Sequence, residues 1–122
     1  MGLSAAFDVG LLVATIVCIV ANAVEVIAKL LRARFVQQNC AAVGIDRKWL
    51  PHLAAVEGAG VVGLIVGLAG APPIGLLASL GLIGFFVVAT AVHVQMRVLH
   101  NIAFPVLFLA LAVASAFHFG GS

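Results

Sequence analysis

VGLLVATIVCIVANAVEVIAKL, residues 9–30, is the stretch whose reading decides the fold. As a helix it rises roughly 33 Å at 1.5 Å per residue, enough to cross the hydrocarbon of a bilayer. Its polar residues are not scattered. Asn22, Glu25 and Lys29 lie three and four positions apart and so share one helix face, and Cys18 falls on the same stripe one turn earlier. An ionisable side chain inside a membrane helix is costly, turns toward protein or a wet cavity, and marks a functional site by default.

The composition agrees with a lipid solvent. The 122 residues are 65% hydrophobic and 8% charged, against about 25% charged for an ordinary soluble domain. A domain this small leaves much of its surface outside its core, so that apolar surface has to face hydrocarbon. Six basic residues, dispersed along the chain, are too few for a nucleic-acid footprint. Cys18 and Cys40 are the two cysteines and form no CxxC, which excludes a disulfide framework and a four-thiolate zinc site within one chain. Residues 1–8 contain Asp8 and neither Lys nor Arg, whereas a secretory signal begins with a positive segment. The first run therefore reads as a retained helix, although Ala21-Asn22-Ala23 has the small-x-small form of a cleavage site.

Residues 31–50, LRARFVQQNCAAVGIDRKWL, break the apolar character with Arg32, Arg34, Arg47 and Lys48. Residues 35–44 suit a short amphipathic helix on the membrane surface, closed by Gly44, or an ordinary polar connection. Trp49 before Pro51 reads as an interfacial anchor at the start of a new helix. A second span is expected over 52–69, with Ala55, Ala59, Gly63 and Gly67 forming a small-xxx-small stripe for close helix approach. Gly70-Ala71-Pro72-Pro73 is a tight uncharged turn. A third span covers 74–94, with Gly75, Ser79, Gly81 and Gly84 as further small packing residues, and a fourth covers 102–119, with Pro105 in its first turn. The expected fold is all-α: an integral membrane four-helix bundle, one domain over residues 1–122, with a basic loop at 31–51. In an antiparallel bundle Lys29, Arg32, Arg34, Arg47, Lys48 and Arg97 all fall at one face. The positive-inside rule makes that face cytoplasmic and puts both termini outside, in the cell membrane.

The same face collects the candidate site. Glu25 lies roughly 8 Å from the end of its span, Glu57 about one turn inside the second, and His93 at the matching end of the third. Two carboxylates and an imidazole around a shallow cavity suit three tasks. They permit proton uptake, they can hold a divalent metal with open positions through Glu57, His93 and Glu25, and they can grip a cationic or hydroxylated ligand. Plainer readings stand beside these. Glu25 and Lys29 can neutralise each other within one helix, His93 and Arg97 can reach for the interface, and Asn22 can hydrogen-bond to another helix. Cys18 reads as packing, Cys40 as a loop thiol open to oxidation, and His52, His100 and His118 as interfacial residues.

The ordered short motifs also carry a resemblance. They are Ala23-x-Glu25-x-x-x-Lys29, Val43-Gly44-Ile45 before Trp49-Leu50-Pro51, Glu57-Gly58-x-Gly60-x-x-Gly63-Leu64-x-x-Gly67-Leu68, the Pro72-Pro73 turn, and Ala91-Val92-His93. Over about residues 20–97 the chain resembles the DoxX-like proteins, small four-helix bacterial membrane proteins. The resemblance implies kinship with a wider group tied to redox and sulfur metabolism: subunits of a thiosulfate:quinone oxidoreductase, a membrane partner of superoxide dismutase and a thiol transferase, and a eukaryotic receptor-assembly chaperone. Glu57 and His93 match the family pattern best. The chain departs from it at Ala28, where members often have Gly, and at Glu25, whose role is therefore not carried over.

The expected function is binding of a small amphipathic, quinone- or lipid-like molecule, or service as an accessory subunit of a membrane redox complex. Glu57, His93, Glu25, Asn22 and Lys29 are the ligand or proton-relay candidates. No haem pair, flavin fingerprint or nucleotide loop is seen, so no cofactor is assigned and no catalytic residue named. The alternatives are a small proton-coupled exporter of the multidrug resistance type and a membrane assembly factor or scaffold. Expected partners are the bilayer, a small hydrophobic ligand, a membrane or redox protein and a second copy of the chain, with nucleic acid excluded.

Overall fold

The computed structural model describes residues 2–121. Five helices follow in order: α1 (Gly2–Leu30), α2 (Arg34–Ala42), α3 (Leu50–Leu68), α4 (Pro72–Gln95) and α5 (Ala103–Gly120), with a single 3₁₀ turn (Arg47–Trp49) leading into α3. All but α2 are long and apolar enough to cross a membrane. Three of these begin and end within two residues of the expected spans. The first starts seven residues earlier, since nothing in residues 2–8 breaks a helix, and its 29 residues rise roughly 43 Å. Each spanning helix packs on two others: α1 and α4 both lie against α3 and α5, on opposite corners of the bundle.

Proline and the left-handed backbone punctuate the chain. Pro51 and the Pro72-Pro73 pair occupy the first turns of α3 and α4, where a missing N–H leaves no hydrogen bond unmade. α2 closes in a Schellman motif: Ile45 N–H donates to the Cys40 carbonyl at 2.8 Å, Gly44 N–H to Ala41 at 3.1 Å, and Gly44 takes φ +79°. Of the two expectations for this segment, the structure has a helix, over Arg34–Ala42, rather than an ordinary connection. α1 and α4 end in the same motif, but with arginines in the left-handed position, Arg32 at φ 53° and Arg97 at φ 55°.

The main core joins Cys18 of α1, Leu64 of α3, Leu82 and Phe86 of α4, and Ala112 and Phe119 of α5. A smaller cluster at the basic end seats α2, with Val36 and Cys40 buried against Ala28 and Leu50. The expected small-residue stripe holds at Gly63 and Gly67 and fails at Ala55 and Ala59. Ala55 and Ala59 are exposed, and the close approach is made by Gly60, Gly63 and Gly67. A Cβ at Gly63 would sit 2.5 Å from that of Ala78, and one at Gly67 would sit 2.5 Å from the Gly75 Cα. Gly81 and Gly84 pack on nothing, since a Cβ at either meets no atom within 4 Å. Buried hydroxyls satisfy themselves locally: Thr15, Ser79 and Ser115 each donate to the carbonyl four residues back, at 2.8–2.9 Å.

Candidate functional site

Where the polar stripe of α1 meets α3, the structure builds a triad. Lys29 donates from Nζ to Oε1 of Glu57, and its Nζ lies 3.5 Å from Oε2 of Glu25. Glu57 is wholly buried and Lys29 nearly so, while the Glu25 side chain keeps a quarter of its surface. Lys29 serves both carboxylates. Lys29 does pair with Glu25 within its own helix, and it also supplies the basic partner that Glu57 lacks within α3. The lysine ammonium also stands 5.7 Å from the centre of the Phe85 ring, within the range of a cation–π contact.

Behind this triad the interior holds more polar groups than donors. Asn22 is fully buried, but its amide stays within α1: Nδ2 donates to the Cys18 carbonyl at 2.8 Å and approaches the Cys18 sulfur at 3.4 Å. Among the described residues that side chain makes no interhelical bond, and Asn22 Oδ1 has no partner. Glu57 Oε2 is likewise enclosed and without a donor. Buried acceptors left in this way are uncommon and call for an explanation in each case.

In front of the triad, at the basic end, lies a partly open chamber of about 820 Å³. Phe35, Phe85, Phe86, Phe104 and Phe108 supply much of its wall, and Glu25, Lys29, Asn39, His93, His100 and Asn101 give it polar points. Gly81 and Gly84 also line it, so part of this volume exists because those positions carry no side chain. α2 contributes a further wall. Asn39 ties it to the bundle: its Oδ1 accepts from Asn101 Nδ2 at 3.2 Å and faces His93 Nε2 at 3.4 Å. His93 Nδ1 lies 2.8 Å from the Ala89 carbonyl, and a neutral imidazole donates to one of these two oxygens at a time.

The sequence-derived residues are therefore brought to one end but not to one cavity. Glu25, Lys29 and His93 line the chamber, whereas Glu57 reaches it only through Lys29, and Asn22 lies deeper. Among the described residues no three His, Cys, Asp or Glu side chains gather closely enough to hold a metal, so Glu25, Glu57 and His93 do not form the three-ligand centre considered from sequence. His93 is buried rather than reaching for the interface, while Arg97 is exposed. Cys40, expected as an open loop thiol, is buried in α2. Burial pushes that thiol above its ordinary value, the Lys29 ammonium offsets part of the rise, and Glu25 adds to it. His52 is exposed and meets the Trp49 ring edge-on at 5.3 Å, as an interfacial residue would. His100, given the same reading, lines the chamber. Asn39, Asn101 and the phenylalanines were missed. Their one sequence signal is the polar QQN run on a short helix beside a phenylalanine-rich span.

A family model described as the DoxX-like family matches residues 13–115. The chain belongs to the DoxX-like family. The match takes in all of α2, α3 and α4, so the triad, the chamber and the Asn39–His93 contact of this DoxX-like protein lie inside the family region. No match was found among curated proteins or among solved structures.

Proposed function

We propose that this DoxX-like protein binds a small amphipathic molecule in the chamber at its basic end, and serves a membrane redox system as a binding or accessory protein. The observation that carries the reading is the chamber itself. Its volume falls in the 300–1,000 Å³ range typical of small-molecule sites, and aromatic walls with a few convergent polar groups are the usual make-up of such sites. An apolar body fits against the phenylalanines and a polar head against Glu25, Lys29, Asn39 and His93. The concentration of basic residues at this end supports a cytoplasmic mouth in the cell membrane.

The test is native mass spectrometry of protein released gently from its membrane, beside Gly84→Phe, which fills the chamber from a position with free space around it. A bound small molecule on the wild type that is missing from Gly84→Phe supports the reading. The same adduct on both proteins, or none on either, counts against it.

The scaffold alternative is weakened because Gly60, Gly63 and Gly67 are used up inside the bundle, which leaves Ala55 and Ala59 as the exposed part of that stripe. The exporter alternative draws on Glu25, a first-helix carboxylate that faces the chamber. Mixed membrane orientation would favour it over the accessory reading.

A further inference from the structure

The charges at the inner end of the chamber do not balance. Two carboxylates, Glu25 and Glu57, share one lysine. Lys29 is committed to Glu57: the two are buried together and directly bonded, so the cation offsets the carboxylate that has no route to water. Glu25 stands farther from Nζ, at 3.5 Å, and faces the chamber. Among the described residues no other Lys, Arg or His pairs with either carboxylate, and His93, on the same chamber wall, lies beyond ion-pair distance of both.

The surplus negative charge falls to Glu25, which presents it to the chamber and so favours a cationic guest. The walls beside it favour the same sign of guest. Phe85 and Phe86 meet edge to face at 5.0 Å and Phe86 and Phe108 at 5.3 Å, forming a continuous aromatic lining. Ring faces carry partial negative charge and attract ammonium groups, as the placement of Lys29 over Phe85 already illustrates. An anion would meet the surplus charge with the wrong sign, and a neutral molecule would leave the surplus in place.

From this charge count and this lining we infer that the chamber takes a monocationic amphiphile, an organic ammonium whose charged head sits at Glu25 and whose apolar body lies along the phenylalanine wall. The inference rests on the chamber being a binding site, as proposed above, and adds the charge of the occupant.

Three probes of nearly equal size test it on the full chain in detergent: 4-phenylbutylammonium, 4-phenylbutanol and 4-phenylbutanoate, titrated by calorimetry with Gly84→Phe as the reference for partition into micelles. The ammonium should bind the wild type at least tenfold more tightly than the alcohol, with the carboxylate weakest. Glu25→Gln should bring ammonium and alcohol to within about twofold of each other, and Glu25→Asp, which keeps the charge, should retain the preference. Equal affinity of ammonium and alcohol for the wild type, or a preference that survives Glu25→Gln, overturns the cationic assignment and leaves the chamber reading standing. Binding of all three that is the same in wild type and Gly84→Phe overturns the chamber reading, and the assignment falls with it.

Discussion

Lys29 of α1 and Glu57 of α3, 28 positions apart in the chain, are bonded inside the bundle, with Glu57 wholly enclosed and Lys29 at the chamber wall. Neither helix can turn or slide without separating them, so the pair fixes the register of α1 against α3. Removing one partner of a buried pair typically costs about 3–5 kcal/mol, because the other charge is left unpaired, whereas replacing both with apolar groups is often nearly neutral. Lys29→Met and Glu57→Met should each destabilise the bundle by an amount of that order. The double variant should lose much less than the sum. Denaturant titration in detergent of all four proteins checks this, and additive losses would show that the two residues act separately.

The α3–α4 contact sets a second expectation. Gly63→Val and Gly67→Val push side-chain atoms into Ala78 and into the Gly75 backbone, and should lower stability by about 1–3 kcal/mol or more. Gly81→Ala meets no neighbour and should gain up to about 1 kcal/mol from helix propensity. Thermal melts of the three variants side by side decide the matter. A tolerant Gly67 would mean that α3 and α4 do not lie this close.

Cys40 should react slowly. Its thiol is buried and its pKa raised, chiefly by desolvation, so less of it is thiolate at neutral pH than in a free cysteine. The alkylation rate with a maleimide should lie well below that of a small thiol at pH 7. It should also keep climbing with pH beyond the point where the free thiol levels off. A rate equal to that of the free thiol would place Cys40 in solvent.

Asn39 holds α2 to the end of α4 and to Asn101 by two polar contacts. Asn39→Ala should loosen α2 while leaving the four spanning helices in place. Hydrogen exchange is the readout: the amides of residues 36–42 should lose protection by tenfold or more, with those of α3 unchanged. Unaltered protection over 36–42 would show that Val36 and Cys40 alone seat the helix.

Much of this architecture is written in local sequence. The four spans follow from length and composition, since only a helix of roughly 20 apolar residues satisfies its own backbone in hydrocarbon. The short amphipathic α2 follows from its pattern and from Gly44. The spacing of Asn22, Glu25 and Lys29 correctly gave one face. The partner across the helix boundary was harder to read, because the meeting of Lys29 and Glu57 depends on how far α3 is shifted along α1. The four-residue spacing that finds Gly63 and Gly67 on α3 also picks out Ala55 and Ala59 and passes over Gly60, for a related reason. α3 is apolar nearly all round, and the pattern that marks the inward face of a soluble helix is weak when lipid is the solvent. The chamber was illegible for the opposite cause: it is made by what Gly81 and Gly84 lack and by aromatic residues brought together from α2, α4 and α5.

The length of α1 has a bearing on where such a protein settles. Its partners rise roughly 27–36 Å, near the thickness of a hydrocarbon layer, but α1 rises roughly 43 Å. Upright in the bundle, its first turns emerge from the layer, carrying the exposed Leu3 and Phe7 together with Asp8 into the headgroup zone. A thicker, more ordered bilayer would cover those apolar side chains while drawing Asp8 toward hydrocarbon, and a thin one would leave them bare or make the whole bundle lean. Hydrophobic mismatch of this kind sorts proteins between membranes of different thickness. The overhang of α1 thus gives this bundle a preference for lipid composition that its other three spanning helices would not impose.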